Sequence, residues 1–314
     1  MTASPKILVT CPPMLGMIES FRADFAAKGL ELTAAQVTQT MSEQELIDLL
    51  PGFDGWIIGD DPASSRVLEA GACGKLRAIV KWGVGVDNVD FVAAKRLGLK
   101  SANTPGVFGK EVADLAMHYV SGLARHSFRI DREIRSDFAW PKPAGISLAG
   151  KNVGLVGFGD IGRNTAKRLL AAEMNLFVYD PYYQHQECID AMQMVWPEGL
   201  GKMDFVVFTA PLTPETHHML NVNTAKQLKD GVRIVNVGRG PLIQEAALVE
   251  GLASGKIHSV ALDVFETEPF SPASQLRQYP DNIFGSHNAS NTIDAVARVS
   301  KQTIAIIAEM LSDV

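Results

Sequence analysis

Short apolar runs and longer amphipathic segments alternate along this chain. Runs dense in Val and Ile with no polar face read as strands covered on both sides, whereas apolar residues recurring every three or four positions read as helices lying on a core. A first series of strands is expected at 6–10 (KILVT), 55–59 (GWIIG), 77–81 (RAIVK) and 99–102 (LKSA). A second is expected at 152–157 (NVGLVG), 175–179 (NLFVY), 204–209 (DFVVFT), 232–237 (VRIVNV), 258–264 (HSVALDV) and 282–286 (NIFGS). Between the two series, Val112, Leu115, Ala116, Tyr119, Val120 and Leu123 keep a helical period that predicts one long helix over 109–135. The stretch DFAWPKPAG (137–145), with two prolines and a glycine, breaks regular structure. A last helix is expected over 291–312, on Ile293, Val296, Val299, Ile304, Ile307 and Leu311.

Strands alternating with helices indicate βα units around parallel sheets, and 314 residues exceed what one core comfortably fills. The expected fold is therefore α/β with two doubly wound parallel-sheet domains. If the two long helices cross between domains, residues 103–287 form one domain inserted into another made of 1–102 and 288–314.

Composition narrows the function. With 29 Lys and Arg against 35 Asp and Glu, a net charge of -6 and no basic block, nucleic acid is excluded as a partner. The apolar run in MTASPKILVTCPP is too short for a signal peptide, and the longest apolar segments elsewhere are interrupted by charge, so no membrane partner is expected and the protein reads as cytoplasmic. Cys11, Cys73 and Cys188 form no CxxC pair, which suits structural roles in a reducing compartment. No metal site is expected.

The strand NVGLVG runs into Gly157-Phe158-Gly159-Asp160-Ile161-Gly162 and then the helical RNTAKRLLAAE. Alone, GxGxxG says little. After a strand and before a helix, Gly157 makes the tight turn, Gly159 lets the backbone approach a diphosphate, and Gly162 lets the helix pack on the strand. The diphosphate then meets the positive end of the helix. Asp160 puts an acid inside this loop, so its side chain is expected to point away and only its backbone to take part. Asp180 follows the next strand, 18 residues after Gly162, where a carboxylate accepts from a ribose hydroxyl. It would repel a 2′-phosphate, and Pro181, Tyr182 and Tyr183 bring no Arg to offset that. The cofactor expected is NAD, which makes 103–287 a Rossmann domain.

With TAPLTPET (209–216), NVGRG (236–240), DVFETEP (263–269), SHNAS (286–290), KWGVGVDNVD (81–90) and NTPG (103–106) added, most of the chain resembles the D-isomer-specific 2-hydroxyacid dehydrogenases in family order. The resemblance implies His287 as the acid/base, Glu268 as the carboxylate that orients it, and Arg239 as the guanidinium that holds substrate. Histidine exchanges protons near neutral pH, and a planar fork of donors suits a carboxylate. The resemblance further implies a flavodoxin-like substrate domain made of 1–102 and 288–314, substrate contacts at Val84 and Gly85, an acid near the nicotinamide at Asp263, a cofactor cleft lined by Thr209, Ala210, Pro211, Val237 and Gly238, and a homodimer paired through the 109–135 helix and the 137–145 loop. The other six histidines (118, 126, 185, 217, 218, 258) read as structural or surface residues.

Glu268 separates the chain from formate-oxidising relatives, where the residue beside the histidine resembles a glutamine. Ser286 stands where proline is common. Where phosphoglycerate dehydrogenases carry an Arg-Ser element, this chain has GDDPASSR (59–66), and Asp60 and Asp61 would disfavour a phosphate; Arg66 lies too far along to align. The sequence also stops soon after its last helix, where some of those enzymes append a serine-sensing domain. The reading is a dehydrogenase of small 2-hydroxy or 2-keto acids; the alternatives are a D-3-phosphoglycerate dehydrogenase proper and a non-catalytic NAD(H)-sensing protein.

Overall fold

The computed structural model describes residues 4–186 and 189–312; Cys188 lies outside them. The chain divides into two compact units, Met1–Phe108 with Asn291–Val314, and Gly109–Ser290.

The first unit is built on β1 (Lys6–Val9), β2 (Glu31–Ala34), β3 (Gly55–Ile58), β4 (Ala78–Lys81) and β5 (Lys100–Asn103), all parallel in the order β2-β1-β3-β4-β5. That is the flavodoxin order. The central β3 and β4 are buried throughout, which is why GWII carries no polar residue and AIVK only its terminal Lys81. The final helix, Ile293–Ser312, returns to cover β3 and β4. Gly55 makes this possible: a side chain there would collide with Ile307. Trp82 anchors the same helix, its indole N–H donating to Ser300 Oγ at 3.1 Å.

The second unit carries β6 (Asn152–Val156), β7 (Asn175–Tyr179), β8 (Met192–Met194), β9 (Phe205–Phe208), β10 (Val232–Asn236), β11 (Ile257–Leu262) and β12 (Ile283–Phe284). They form one parallel sheet in the order β12-β11-β10-β9-β6-β7-β8. Chain order reverses between β6 and β9, and in open α/β sheets ligands bind outside the carboxyl ends of the strands at such a reversal. Val206, Phe208, Ile234, Val260 and Leu262 build the core on one face.

Two parts of the sequence reading are corrected. The predicted helix over 109–135 is two helices, Gly109–Arg125 and Ser127–Ser136, parted at His126. His126 takes φ 54°, and Asp281 holds its Nδ1 at 2.8 Å, so a long-range partner overrides a helical period that runs on through the break. The edge strands β2 and β8 were not foreseen, because ELTA and MQM are half exposed and show no continuous apolar run.

Candidate active site

Every residue that the sequence assigns to cofactor or catalysis in the second unit lies just past the carboxyl end of a strand. Gly157–Gly162 follow β6, Asp180 follows β7, and Thr209–Pro211 follow β9. Val237–Arg239 follow β10, Asp263 and Glu268 follow β11, and His287 follows β12. Neighbouring strands lie about 4.8 Å apart, so the sheet gathers these segments along one edge.

At the reversal, Gly157 has φ 91°, and a side chain there would meet Ala210 Cα at 2.7 Å. Gly162 would bring one into the Gly157 carbonyl. Gly159, the N-cap of the helix Asp160–Ala171, differs: nothing lies within 4 Å of where its side chain would be. Two glycines thus close the turn while the third leaves its backbone open to a ligand, which fits a diphosphate at the positive end of that helix. Asp160 turns its carboxylate away, against the Gly109 backbone and toward the Asn164 amide at 3.2 Å. Asp180 accepts from Phe158 N–H at 2.6 Å and from Tyr182 N–H at 2.8 Å. It therefore caps its own turn and grips the glycine loop at once, and a carboxylate's remaining lone pairs suffice for a ribose hydroxyl. Thr209 ties β9 to β6 by donating to the Gly157 carbonyl at 2.9 Å. These groups fit a dinucleotide.

The histidine is held from both sides. Glu268 Oε2 accepts from His287 Nδ1 at 2.8 Å, while its other oxygen accepts from Phe265 N–H at 2.9 Å. The histidine backbone takes φ 55° and donates to the Asp263 carbonyl at 2.7 Å. Asp263 is only 1% exposed; its carboxylate accepts from Ala289 N–H at 2.8 Å, Asn288 N–H at 3.2 Å and the Tyr119 hydroxyl at 3.4 Å. Burial raises the Asp263 carboxyl above its ordinary pKa, against the pull of those two N–H groups and of His287. Burial and the Asp263 charge raise the Tyr119 phenol. Asp263 thus orders the loop that carries the imidazole. Gly285 is required beneath it, since a side chain there would overlap both Asp263 and Tyr119.

Arg239 sits on a turn fixed by its neighbours. Asn236 accepts from Gly238 N–H at 3.0 Å and donates to the Arg239 carbonyl at 2.9 Å, and Arg239 Nη1 donates to the Gly238 carbonyl at 3.0 Å. Gly240 then lets this turn press against the Phe265 carbonyl, which any side chain would prevent.

In the first unit, Val84 and Gly85 follow β4. Gly83, at φ 133°, is clamped by Thr104: its N–H donates to Thr104 Oγ1 at 2.8 Å and its carbonyl accepts from Thr104 N–H at 3.1 Å. Asn103 Nδ2 donates to the Val84 carbonyl at 3.3 Å. The sequence alone gives NTPG no role; its occurrence together with GVG is the available signal. Asp60 and Asp61 do different work rather than sharing one. Asp61 is fully buried, accepting from Thr10 Oγ1, Met41 N–H and Gly59 N–H, and burial raises its carboxyl. Asp60 pairs with the buried Lys81 ammonium at 3.1 Å.

Among the described residues, no group of three or more His, Cys, Asp or Glu could hold a metal, and no helix is long and apolar enough to cross a membrane.

Residues 117–289 match the family model of the D-isomer specific 2-hydroxyacid dehydrogenase NAD binding domain. Hydroxypyruvate reductase of Thermotoga maritima is 36% identical over 88% of this chain and 89% of its own length. D-3-phosphoglycerate dehydrogenase of Archaeoglobus fulgidus is 33% identical over 94% of this chain, which spans only 55% of that protein. Among solved structures, apo D-lactate dehydrogenase from Escherichia coli superposes with a TM-score of 0.84 at 28% identity, covering 98% of this chain and 97% of that one. A sheet edge arranged for a dinucleotide and likenesses that run nearly the whole chain lead to one conclusion: the protein belongs to the D-isomer-specific 2-hydroxyacid dehydrogenase family and is an NAD-dependent enzyme of that class.

Proposed function

We propose that the enzyme interconverts a short, unphosphorylated 2-keto acid and its D-2-hydroxy acid, with His287 as acid/base, Glu268 as its partner and Arg239 as the clamp on the substrate carboxylate and keto oxygen. The carrying observation is the 2.8 Å contact between His287 Nδ1 and a Glu268 carboxylate that Phe265 holds still. A carboxylate on Nδ1 keeps the proton there and makes Nε2 the nitrogen that exchanges one with substrate. The bound nicotinamide supplies the hydride for reduction and takes it back in oxidation. In reduction, His287 Nε2 gives its proton to the keto oxygen, leaving a neutral imidazole that is recharged from solvent. Gly157, Gly159, Asp160, Ile161 and Gly162 hold the diphosphate, Asp180 the ribose, and Thr209, Ala210, Pro211, Val237 and Gly238 line the cofactor cleft. Asp263 orders the His287 loop beside the nicotinamide, while Val84 and Gly85 offer backbone N–H groups to the substrate carboxylate from a loop clamped by Thr104.

The preference for an unphosphorylated acid rests on Lys81. Asp60 already neutralises that ammonium, which also donates to the Gly59 carbonyl, so the cation at the end of β4 is committed within its own unit. NAD rather than NADP follows from Asp180, whose charge opposes a 2′-phosphate. Assayed for nicotinamide oxidation, hydroxypyruvate or glyoxylate should show a higher kcat/KM than 3-phosphohydroxypyruvate, and NADH should outperform NADPH. A preference for the phosphorylated acid would make the protein a phosphoglycerate dehydrogenase. NADH binding without turnover of any keto acid would make it a sensor.

The assembly we propose is a homodimer through the second unit. The helix Ser127–Ser136 buries none of its residues, and beyond it Phe138 and Trp140 are 91% and 78% exposed. Apolar exposure of that kind marks an interaction surface. Sedimentation velocity at micromolar concentration should find a dimer, and Phe138→Ser with Trp140→Ser should shift it to monomer; a monomeric wild type would refute the pairing. A reducing cytoplasm suits the exposed free thiol of Cys73.

A further inference from the structure

His218 belongs to none of the motifs that bind cofactor or substrate, yet it touches both turns that carry the catalytic side chains. Its backbone takes φ 50° and its N–H donates to the Pro241 carbonyl at 2.8 Å, two residues past Arg239. Its Nε2 donates to Glu266 Oε1 at 2.6 Å, two residues before Glu268. The second Glu266 oxygen accepts from Glu245 N–H, at the first turn of the helix Glu245–Ala253, so that carboxylate is fixed at the positive end of a helix. The strap continues: Leu220 N–H donates to the Leu242 carbonyl at 3.2 Å, and Gln244 N–H to the Leu220 carbonyl at 2.9 Å. Asn221 Nδ2 donates to the His218 carbonyl at 3.0 Å and secures the left-handed turn itself. Gly240 packs on the Phe265 carbonyl, so the two turns are already in van der Waals contact, and His218 ties them across that contact.

We infer that His218 is a positioning residue for hydride transfer: through Pro241 and Glu266 it sets the register between the Arg239 turn and the Glu268 turn, and hence between the guanidinium and the imidazole that Glu268 orients. The inference rests on the roles proposed above for Arg239, Glu268 and His287. A misplacement of about 1 Å in a catalytic group can cost about a hundredfold in rate. The pair need not contact substrate to matter.

The test uses the full-length enzyme and the 2-keto acid that the wild type turns over fastest. His218→Ala should lower kcat/KM by about tenfold to a hundredfold, through both a higher KM for the keto acid and a lower kcat per folded enzyme, with NADH affinity unchanged. His218→Gln should recover activity to near wild type, because its amide nitrogen reaches the place of Nε2. Glu266→Ala should cost at least as much as His218→Ala, since it also removes the acceptor for Glu245 N–H, and the double variant should be no worse than Glu266→Ala alone. If His218→Ala does not fold, His218→Asn carries the same expectation, its amide stopping short of Glu266. Unchanged kcat and KM per folded enzyme, additive losses in the double variant, or no rescue by Gln would overturn the inference. His287→Ala separates the two levels. If it is inactive while His218→Ala is normal, the brace alone fails; if it turns over normally, the underlying assignment fails as well.

Discussion

Arg239→Ala should lower kcat/KM for the preferred keto acid by about a thousandfold while NADH binds as before. The guanidinium is assigned the substrate carboxylate and the keto oxygen, and each charge-assisted hydrogen bond lost there costs about 2 kcal/mol. Two such bonds amount to about 4 kcal/mol, or three powers of ten in rate. The bond to the keto oxygen strengthens as negative charge develops on it, so kcat should fall and not KM alone. Arg239→Lys keeps the charge but lacks the planar fork, and should restore only part of the loss. Steady-state kinetics with NADH affinity measured by fluorescence would check this. A rise in the Kd for NADH with kcat unchanged would place Arg239 on the cofactor instead.

The parallel-sheet core was legible because it is local. GWII and FVVF are continuous apolar runs, with AIVK and VRIVN apolar at most positions, as sheets covered on both faces require, and the glycine spacing after β6 states its own geometry. What escaped was non-local. The helix predicted over 109–135 breaks at His126 because Asp281, 155 residues away, holds the imidazole. The strands β2 and β8 lie at sheet edges where side chains need not be apolar. Asp60 and Asp61 read alike as acids that disfavour a phosphate, yet Asp61 faces inward, because its donors come from Thr10, Met41 and Gly59. His218 has no local signal at all: its partner Glu266 is 48 residues away, inside the same motif as Glu268.

The chemistry was legible only through resemblance. A histidine, a glutamate and an arginine distributed over three loops do not announce a site by spacing. The fold supplies the reason they belong together, since β10, β11 and β12 are adjacent and each ends in one of those loops. Around them, the buried Asp263 and Tyr119 fix the loops through contacts that no pattern in the chain reveals.

Proton transfer by His287 is the central claim, and its removal gives the sharpest reading. A positioned acid/base contributes about a hundredfold to ten-thousandfold to a reaction rate, and Glu268 and Asp263 are arranged to position this one. With NADH saturating, His287→Ala should reduce kcat for the preferred keto acid by a factor in that range, while the Kd for NADH and the melting temperature stay close to wild type. A variant that lost NADH affinity but kept full turnover would contradict it.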